Sequence, residues 1–433
     1  MITPGARRFR LSLSSISAGV YYMSVFALLF QSIVLPNSMR MLNLLLLGWT
    51  AILSLRRIQL DRRHTILGAF YLSTMIVTTF YTLIGLVRDA PLAAVLQTMG
   101  VYVITPLLWM IVAMALLQRF GVVRIANWLK HLSYPCLLSI VLFIVLFTVY
   151  GPDSVSLFKQ KANVNIHDGR AAANMHVYGS LIFITGGIFF SPRIVGSRVE
   201  RYVLMGLLIA AVATSGRTAM FLALVTGFIL RMVGSPLAPA SRKREVNDRM
   251  SITNFIVFAL LLFVVHLFFI SYFSIDVVKS LILFAEDIGE GGGSIRGEQL
   301  KAFWSAIMDS QAIGVGHGIG MEDYVRDENN NWRYELLLPA SMYRVGVIGT
   351  MVYVAPFAFA LVKAGKLQLK GALNEHERFI LGGYVAFLLA AGTNPYIEAI
   401  SFQWMVVIPM VYFTMRKRDT SGRLKVRPGA HEQ

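Results

Sequence analysis

Long apolar runs separated by short charged segments constrain the fold of this 433-residue sequence more than any other feature. Only 15% of the residues are charged, against about a quarter in soluble domains. A helix needs about 20 apolar residues to cross a bilayer. We therefore predict an all-α polytopic membrane protein with about twelve transmembrane helices. The predicted spans are 13–35, 38–55, 65–87, 92–117, 132–150, 178–190, 202–216, 218–232, 252–273, 343–362, 379–394 and 398–415.

The number of helices in the apolar stretch 202–232 determines on which side of the membrane each later segment lies. It is either one long helix with Arg217 at its centre or two short helices that meet at residues 214–218. Arginine at mid-bilayer is costly, and the Ser-Gly pair before Arg217 is typical of a turn. With two helices, the segments predicted inside hold 28 of the 40 Lys and Arg residues, as the positive-inside rule requires. We therefore predict two helices here and both termini in the cytoplasm.

The formal net charge of +17 could indicate nucleic-acid binding, but its distribution argues otherwise. The inside segments carry a net charge of +20, whereas the outside carries −3. This asymmetry predicts contact with the anionic inner leaflet and no nucleic acid partner. The single cysteine, Cys136, excludes a disulfide framework, a CxxC pair and a cysteine zinc site, and we predict no metal and no cofactor.

The sequence divides into three parts. Residues 1–273 hold helices one to nine with an outer loop at 151–177, residues 274–342 form one large outer loop, and residues 343–433 hold helices ten to twelve and a basic cytoplasmic tail. The large loop has eleven acidic and five basic residues. Loops of this length are usually functional or disordered, and its aromatic residues indicate that this one folds.

Two segments of the large loop have interpretable patterns. After a hinge-like break at the glycines 291–293, residues 295–310 form a predicted amphipathic helix, with Leu300, Phe303, Trp304 and Ile307 on one face. The glycine-rich stretch 314–320 lacks the βαβ context of a dinucleotide site, so we expect a tight backbone turn.

An enzyme that acts on the outer face of the membrane has no supply of nucleotides. It therefore either uses a substrate that is already activated, such as a lipid-linked diphosphosugar, or catalyses a hydrolysis. A departing diphosphate needs its charge stabilised, and arginine does this without a metal. An acceptor hydroxyl needs a general base. The candidates are Arg217, Arg296, His317, Glu335 and Arg344. The alternatives are that these arginines are headgroup anchors or solvated charges and that His317 is a polar loop residue.

Three ordered patches carry a family resemblance. The first is Thr214-Ser215-Gly216-Arg217, the second runs from Ser294-Ile295-Arg296 through Phe303-Trp304 to Ile313-Gly314-Val315-Gly316, and the third joins Glu335-Leu336-Leu337-Leu338 to Arg344-Val345-Gly346-Val347-Ile348-Gly349. A weaker fourth is Gly169-Arg170 with Asn174. Over residues 150–360 the sequence resembles the membrane family of O-antigen ligases and Wzy-type polysaccharide polymerases.

The resemblance implies a GT-C-like fold with a large periplasmic loop, in the bacterial inner membrane. It implies glycan transfer from undecaprenyl diphosphate without a metal, with Arg217 and Arg296 on the diphosphate. The family's basic histidine falls on Glu335 here, which leaves Glu335 or His317 as the base. The expected substrate-binding residues are Arg170, Asn174, Trp304, Arg333 and Arg344.

The expected partners are an undecaprenyl-diphosphate-linked oligosaccharide, an acceptor glycan or lipid-linked repeat unit, membrane lipids, and a chain-length regulator or export protein. Because the histidine is most typical of ligases, its replacement favours a polymerase over a ligase that uses lipid A-core. A secondary transporter or lipid-linked sugar flippase is the alternative from another class. Twelve helices and Leu60-Asp61-Arg62-Arg63 suit it, but no repeat relates the two halves.

Overall fold

The computed structural model describes residues 13–36, 39–151, 162–167, 170–175, 177–215, 217–234, 292–321, 323–325 and 330–416, with the isolated positions Phe263, Leu267 and Ile270. Apart from these three positions, the predicted span 252–273 lies outside the described residues. So do the N-terminal residues 1–12 and the basic tail from residue 417 onward.

The described chain is a helical bundle with one short hairpin. Its first part comprises α1 (Leu13–Ile33), α2 (Arg40–Leu55), α3 (His64–Val87), α4 (Leu92–Met99), a π-helical turn (Gly100–Ile104) and α5 (Thr105–Tyr150). Strands β1 (Ala162–His167) and β2 (Arg170–Met175) precede α6 (Val177–Phe190), α7 (Arg198–Ser215) and α8 (Thr218–Gly234). The last part comprises α9 (Gly292–Asp309), α10 (Leu337–Leu369), α11 (Glu375–Thr393), the 3-10 helices Tyr396–Glu398 and Ile400–Phe402, and α12 (Trp404–Met415).

Within the described part of the chain, three helical stretches are long and apolar enough to cross a membrane. They are His64–Val87, Leu92–Phe147 and Leu337–Leu369. Shorter apolar helices coincide with other predicted spans, for example Val177–Phe190 and Trp404–Met415. Their length and composition make them candidate membrane spans, because a soluble helix of such length needs a polar face.

The stretch 202–232 forms two helices, as predicted. Helix α7 ends at Ser215 and α8 begins at Thr218, so Arg217 lies in the connection between them. The prediction rested on the cost of an arginine in the middle of an apolar helix, and the structure places Arg217 at a helix end instead.

The segment 118–131 lies between two predicted spans, on the side that the charge distribution assigns to the inside, and it is helical apart from a break at Gly121. Its charged residues are interspersed with Val122, Ile125, Ala126 and Leu129, which are buried. Their spacing is that of an amphipathic helix, in which Arg119 and Arg124 stay exposed and Lys130 is buried. Only Gly121, with φ +70°, interrupts α5 and separates the two predicted spans on either side.

The outer loops begin and end differently from the prediction. The loop at 151–177 contains the antiparallel hairpin of β1 and β2, in which Asn163 lies opposite Asn174 and β2 contacts α7. In the large loop, Gly292 and Gly293 form the first turn of α9 and are no hinge between segments. Helix α10 begins at Leu337, inside the predicted loop, and Gly346 breaks it with φ +69°.

Helix α6 forms the centre of the bundle. All fourteen of its residues are buried, as its uninterrupted apolar sequence permits. It packs closely on α8 and α11, where a Cβ added to Gly186 would lie 2.3 Å from that of Ala386. Helix α11 begins with a capping box between Asn374 and Glu377, which fixes the start of this second central helix.

Candidate functional site

The candidate site lies at the end of the bundle where α3 ends and α10 begins, which the charge distribution predicts to face outward. Its distinctive element is the segment 394–403 between α11 and α12. Helix α12 has twelve residues and is about 18 Å long, too short for a 30 Å hydrocarbon core. The two 3-10 helices of the segment therefore occupy part of the bundle's thickness.

Side chains of the bundle satisfy the irregular backbone of this segment. The indole of Trp109 donates to the carbonyl of Ile400 at 3.2 Å. The amide of Gln403 donates to the carbonyls of Val101 at 2.9 Å and Ile397 at 3.3 Å. Non-helical backbone is tolerated at membrane depth only where protein or a water-filled cavity surrounds it, and here the protein surrounds it.

Arg344 forms a buried ion pair with Glu398 of this segment. Its Nη1 lies 2.7 Å from Oε1 of Glu398, and its Nη2 donates to the carbonyl of Trp332 at 2.6 Å. The hydroxyl of Tyr102 also donates to Oε1 of Glu398, at 2.5 Å. The side chains of Arg344 and Glu398 are 6% and 14% exposed, so the pair has little solvent screening.

Arg217 contacts the same segment from the opposite side. Its backbone N–H donates to Oγ of Ser215 at 3.2 Å, which holds it beyond the end of α7. Its Nη1 donates to the hydroxyl of Tyr396 at 2.9 Å. The ring of Tyr396 packs on Phe387 and Phe402, so this phenol has a fixed position for Arg217.

One 3-10 helix therefore connects the two arginines. Tyr396 bonds to Arg217 and Glu398 bonds to Arg344, while Ile397 between them lines a cavity of about 390 Å³. The cavity runs between α3, α10 and α12, and its lining is mainly apolar, with Tyr102 and Tyr353 among the polar side chains. A cavity of this size and lining is typical of a site for an apolar ligand group.

His317 lies in the glycine loop, residues 313–321. Gly316 has φ +106° and is so close to α3 that an added Cβ would lie 2.5 Å from the nitrogen of Gly85. The tight turn predicted for this stretch is thus confirmed. The N–H of His317 donates to the carbonyl of Tyr81 at 2.9 Å, and its Nε2 lies 3.0 Å from the hydroxyl of Tyr353.

Burial lowers the pKa of His317 to about 3, and the charge of Arg344 contributes in the same direction. The imidazole is 1% exposed and is therefore neutral at physiological pH. It is a weak base in this environment, and its hydrogen bond to Tyr353 fixes the wall of the cavity.

The other predicted site residues lie around this cluster. Arg333 is exposed and donates to the side chain of Gln97 at 3.0 Å, Glu335 is half-buried two residues before α10, and Trp304 is 58% exposed on α9. For Arg170, Asn174 and Arg296 the described part covers the backbone alone, which lies in β2 for the first two and in α9 for the third.

The sequence reasoning missed Tyr102, Tyr353, Tyr396 and Glu398. A signal existed for Glu398, because it is the only charged residue from Phe379 to Met415. The same observation singled out Arg217, and ionisable residues within apolar segments are functional candidates by default. For the three tyrosines, the sequence offers no comparable signal.

No family model matches the sequence, and the comparisons with curated proteins and with solved structures find no match either.

Proposed function

We propose that this protein is a polysaccharide polymerase of the Wzy type in the bacterial inner membrane. It transfers a glycan from undecaprenyl diphosphate to a hydroxyl of a lipid-linked repeat unit on the periplasmic face, without a metal. The proposal includes about twelve spans in a GT-C-like arrangement, with both termini in the cytoplasm.

The single observation that carries the proposal is the 3-10 helix Tyr396–Glu398. Its Tyr396 bonds to Arg217 and its Glu398 bonds to Arg344 at the end of the bundle predicted to face the periplasm, and its Ile397 lines an apolar cavity that extends into the bundle. A polyprenyl diphosphate has the matching chemistry, because it joins a hydrocarbon chain to a strongly anionic group. Arginine binds phosphate oxygens in pairs and stays protonated, which suits a leaving diphosphate.

The two arginines have different roles in this mechanism. Arg217 donates to the hydroxyl of Tyr396 and is assigned to the diphosphate, together with Arg296 from α9. Arg344 is neutralised by Glu398 and positions that carboxylate and the Trp332 carbonyl. The acceptor oxygen forms a bond to the anomeric carbon while the carbon–phosphate oxygen bond breaks, and the electron pair leaves with the diphosphate.

A carboxylate takes the proton of the acceptor hydroxyl. Glu335 is the base that the family pattern indicates, and the lowered pKa and buried position of His317 favour Glu335 over it. Glu398 is a second candidate. Its Oε1 has both hydrogen bonds, and its Oε2 has no hydrogen-bond donor within the described residues.

The test is repeat-unit ladder formation by the purified protein in nanodiscs with an undecaprenyl-diphosphate-linked repeat unit as donor and acceptor. We expect Arg217→Ala and Arg296→Ala to lose ladder formation by a factor of at least about 100, since one lost charge-stabilising group costs about 2.7–4 kcal/mol in comparable sites. Arg88→Ala is the matched control, because Arg88 is an exposed arginine at the same end of the bundle. Wild-type ladders from both arginine variants would refute the mechanism.

The same preparation separates the alternatives. Transfer to lipid A-core without elongation would favour the ligase. A lipid-linked sugar flippase or transporter would move substrate across the bilayer with no new glycosidic bond. The break in the helical course at 394–403 favours transport to some degree, because discontinuous helices often form transporter binding sites.

A further inference from the structure

Helix α9 has two different apolar faces. Phe303 and Ile307 are buried against Tyr334 and Tyr343, with exposed fractions of 0% and 3%. By contrast, Leu300, Trp304 and Met308 are 49%, 58% and 54% exposed. The predicted apolar face of Leu300, Phe303, Trp304 and Ile307 is therefore covered by the protein on one half only, and its other half is exposed.

The remaining surface of α9 is polar. Glu298, Lys301, Ser305 and Asp309 are all exposed. At 100° per residue, the stripe of Leu300, Trp304 and Met308 lies between the buried face and this polar face. A helix with this order of faces packs one side on the protein and exposes another side to water. The apolar stripe between them is stable only where something shields it from water.

The end of α9 is joined to two candidate membrane spans. The N–H of Val347 in α10 donates to the carbonyl of Ala312 at 3.0 Å, and the hydroxyl of Tyr81 in α3 donates to the carbonyl of Ile313 at 2.6 Å. Tyr81 and Val347 belong to the stretches His64–Val87 and Leu337–Leu369. The C-terminal end of α9 is thus attached to the last two turns of α3 and to α10 just after its break at Gly346.

The exposed apolar stripe continues onto the lipid-facing surface of one of these spans. Ile313 follows Met308 in the turn after α9 and is 63% exposed. Ile348 and Met351 on α10 are 79% and 65% exposed. On a helix that crosses a membrane, exposed side chains of this kind contact acyl chains, so the lipid that contacts α10 also reaches α9.

We propose that α9 lies in the membrane–water interface, with Leu300, Trp304 and Met308 inserted among the acyl chains of the leaflet at this end of the bundle. The occupant of the stripe is phospholipid. A tryptophan at the centre of the stripe and charged residues on the adjacent face are typical of interfacial helices. The inference is independent of the glycosyltransferase proposal, because it uses only the exposure and the attachment of α9.

A series of contacts connects this lipid-facing helix to the surroundings of Arg344. The side chain of Gln299 on α9 accepts a hydrogen bond from the N–H of Leu336 at 3.1 Å. The ring of Phe303 lies 4.8 Å from that of Tyr334, which in turn lies beneath the guanidinium of Arg344 at 5.6 Å. The membrane surface therefore fixes the element that supports the entrance of α10.

The test places spin labels on the full chain in phosphatidylcholine nanodiscs. Trp304→Cys, Met308→Cys and Ser305→Cys are made in a Cys136→Ser background, and Ser305 is the matched control because it is also exposed but lies on the polar face. We expect labels at positions 304 and 308 to be several-fold more accessible to oxygen than to a water-soluble nickel complex, and the label at 305 to show the reverse. Equal nickel accessibility at positions 304 and 305 would overturn the proposal.

A second measurement keeps the native tryptophan. Brominated phosphatidylcholine quenches tryptophan fluorescence only at contact, so the difference between wild type and Trp304→Phe reports on Trp304 alone. We expect the Trp304 contribution to fall at least twofold in brominated nanodiscs. An unquenched Trp304, or labels at position 304 that couple between two copies of the chain, would identify water or protein as the covering and refute the lipid assignment.

Discussion

The buried ion pair of Arg344 and Glu398 gives the most quantitative prediction. Arg344→Met leaves Glu398 with only the hydrogen bond from Tyr102 and leaves the Trp332 carbonyl without its donor. Loss of one partner from a buried pair costs about 3–5 kcal/mol. Glu398→Gln costs less, about 2–4 kcal/mol, because the amide still accepts from Tyr102 and Glu398 retains some exposure.

The double variant separates the pair interaction from the rest. Two unit charges about 4 Å apart interact by about 4 kcal/mol at an effective dielectric constant near 20. We therefore expect the double variant to be about 2–4 kcal/mol more stable than the sum of the single effects predicts. The less buried pair of Arg378 and Glu375 on α11, whose side chains are 20% and 30% exposed, is the control, with an expected coupling of about 0.2–1 kcal/mol.

The assay is unfolding by SDS in mixed micelles, followed by far-UV circular dichroism for the wild type, the single variants and the double variant of each pair. A coupling below about 0.5 kcal/mol for Arg344 and Glu398 would mean that their contributions are independent. That result would refute the ion pair as the connection between α10 and the segment 394–403.

Three further predictions concern the surroundings of the site. Gly346→Ala places a Cβ 2.2 Å from the carbonyl oxygen of Ile313, in a residue with φ +69°, so the free energy of unfolding in SDS should decrease by at least about 2 kcal/mol. Gly365 on the same helix has open space around it, so Gly365→Ala should be neutral or slightly stabilising. His317 has a pKa of about 3 in the folded protein, so between about pH 6.5 and 3 this histidine is protonated only in the unfolded state. The free energy of unfolding should therefore decrease as the pH falls below 6.5, by about 2 kcal/mol at pH 5. A His317→Gln variant whose stability has the wild-type pH dependence would contradict this. Arg217→Lys should keep the fold but lose most ladder formation at saturating substrate, because lysine cannot bind two phosphate oxygens in the fork geometry; full activity would show that a point charge suffices.

The helices were predictable wherever an apolar run is bounded by charges or turn residues. The ends of α3 and α6 and the connection at Arg217 follow from that rule, and the glycine loop follows from its glycine content. The helical conformation of 118–131 is less evident from the sequence because the segment carries several charges. The buried residues Val122, Ile125, Ala126 and Leu129 make it an amphipathic helix on the bundle.

Most of the cluster around Arg344 could not be predicted from local pattern. Tyr102 and Glu398 are 296 residues apart, and their hydrogen bond exists only because the π-helical turn and the segment 394–403 pack together. The division of α9 into a buried and an uncovered apolar face has the same origin. Periodicity indicates an apolar side, but the position of Tyr334 and Tyr343 decides which half of that side is covered.

The enclosed position of α6 has a consequence for the biogenesis of the protein. With fourteen residues it is about 21 Å long, which is shorter than the hydrocarbon core of the bilayer. When synthesis has reached Phe190, this segment alone is therefore too short to span the membrane. Its close neighbours Gly382 and Gly383 are synthesised about 200 residues later. The middle of the molecule therefore closes only when α11 has entered the membrane, and chains truncated before α11 should be substrates for membrane quality-control proteases.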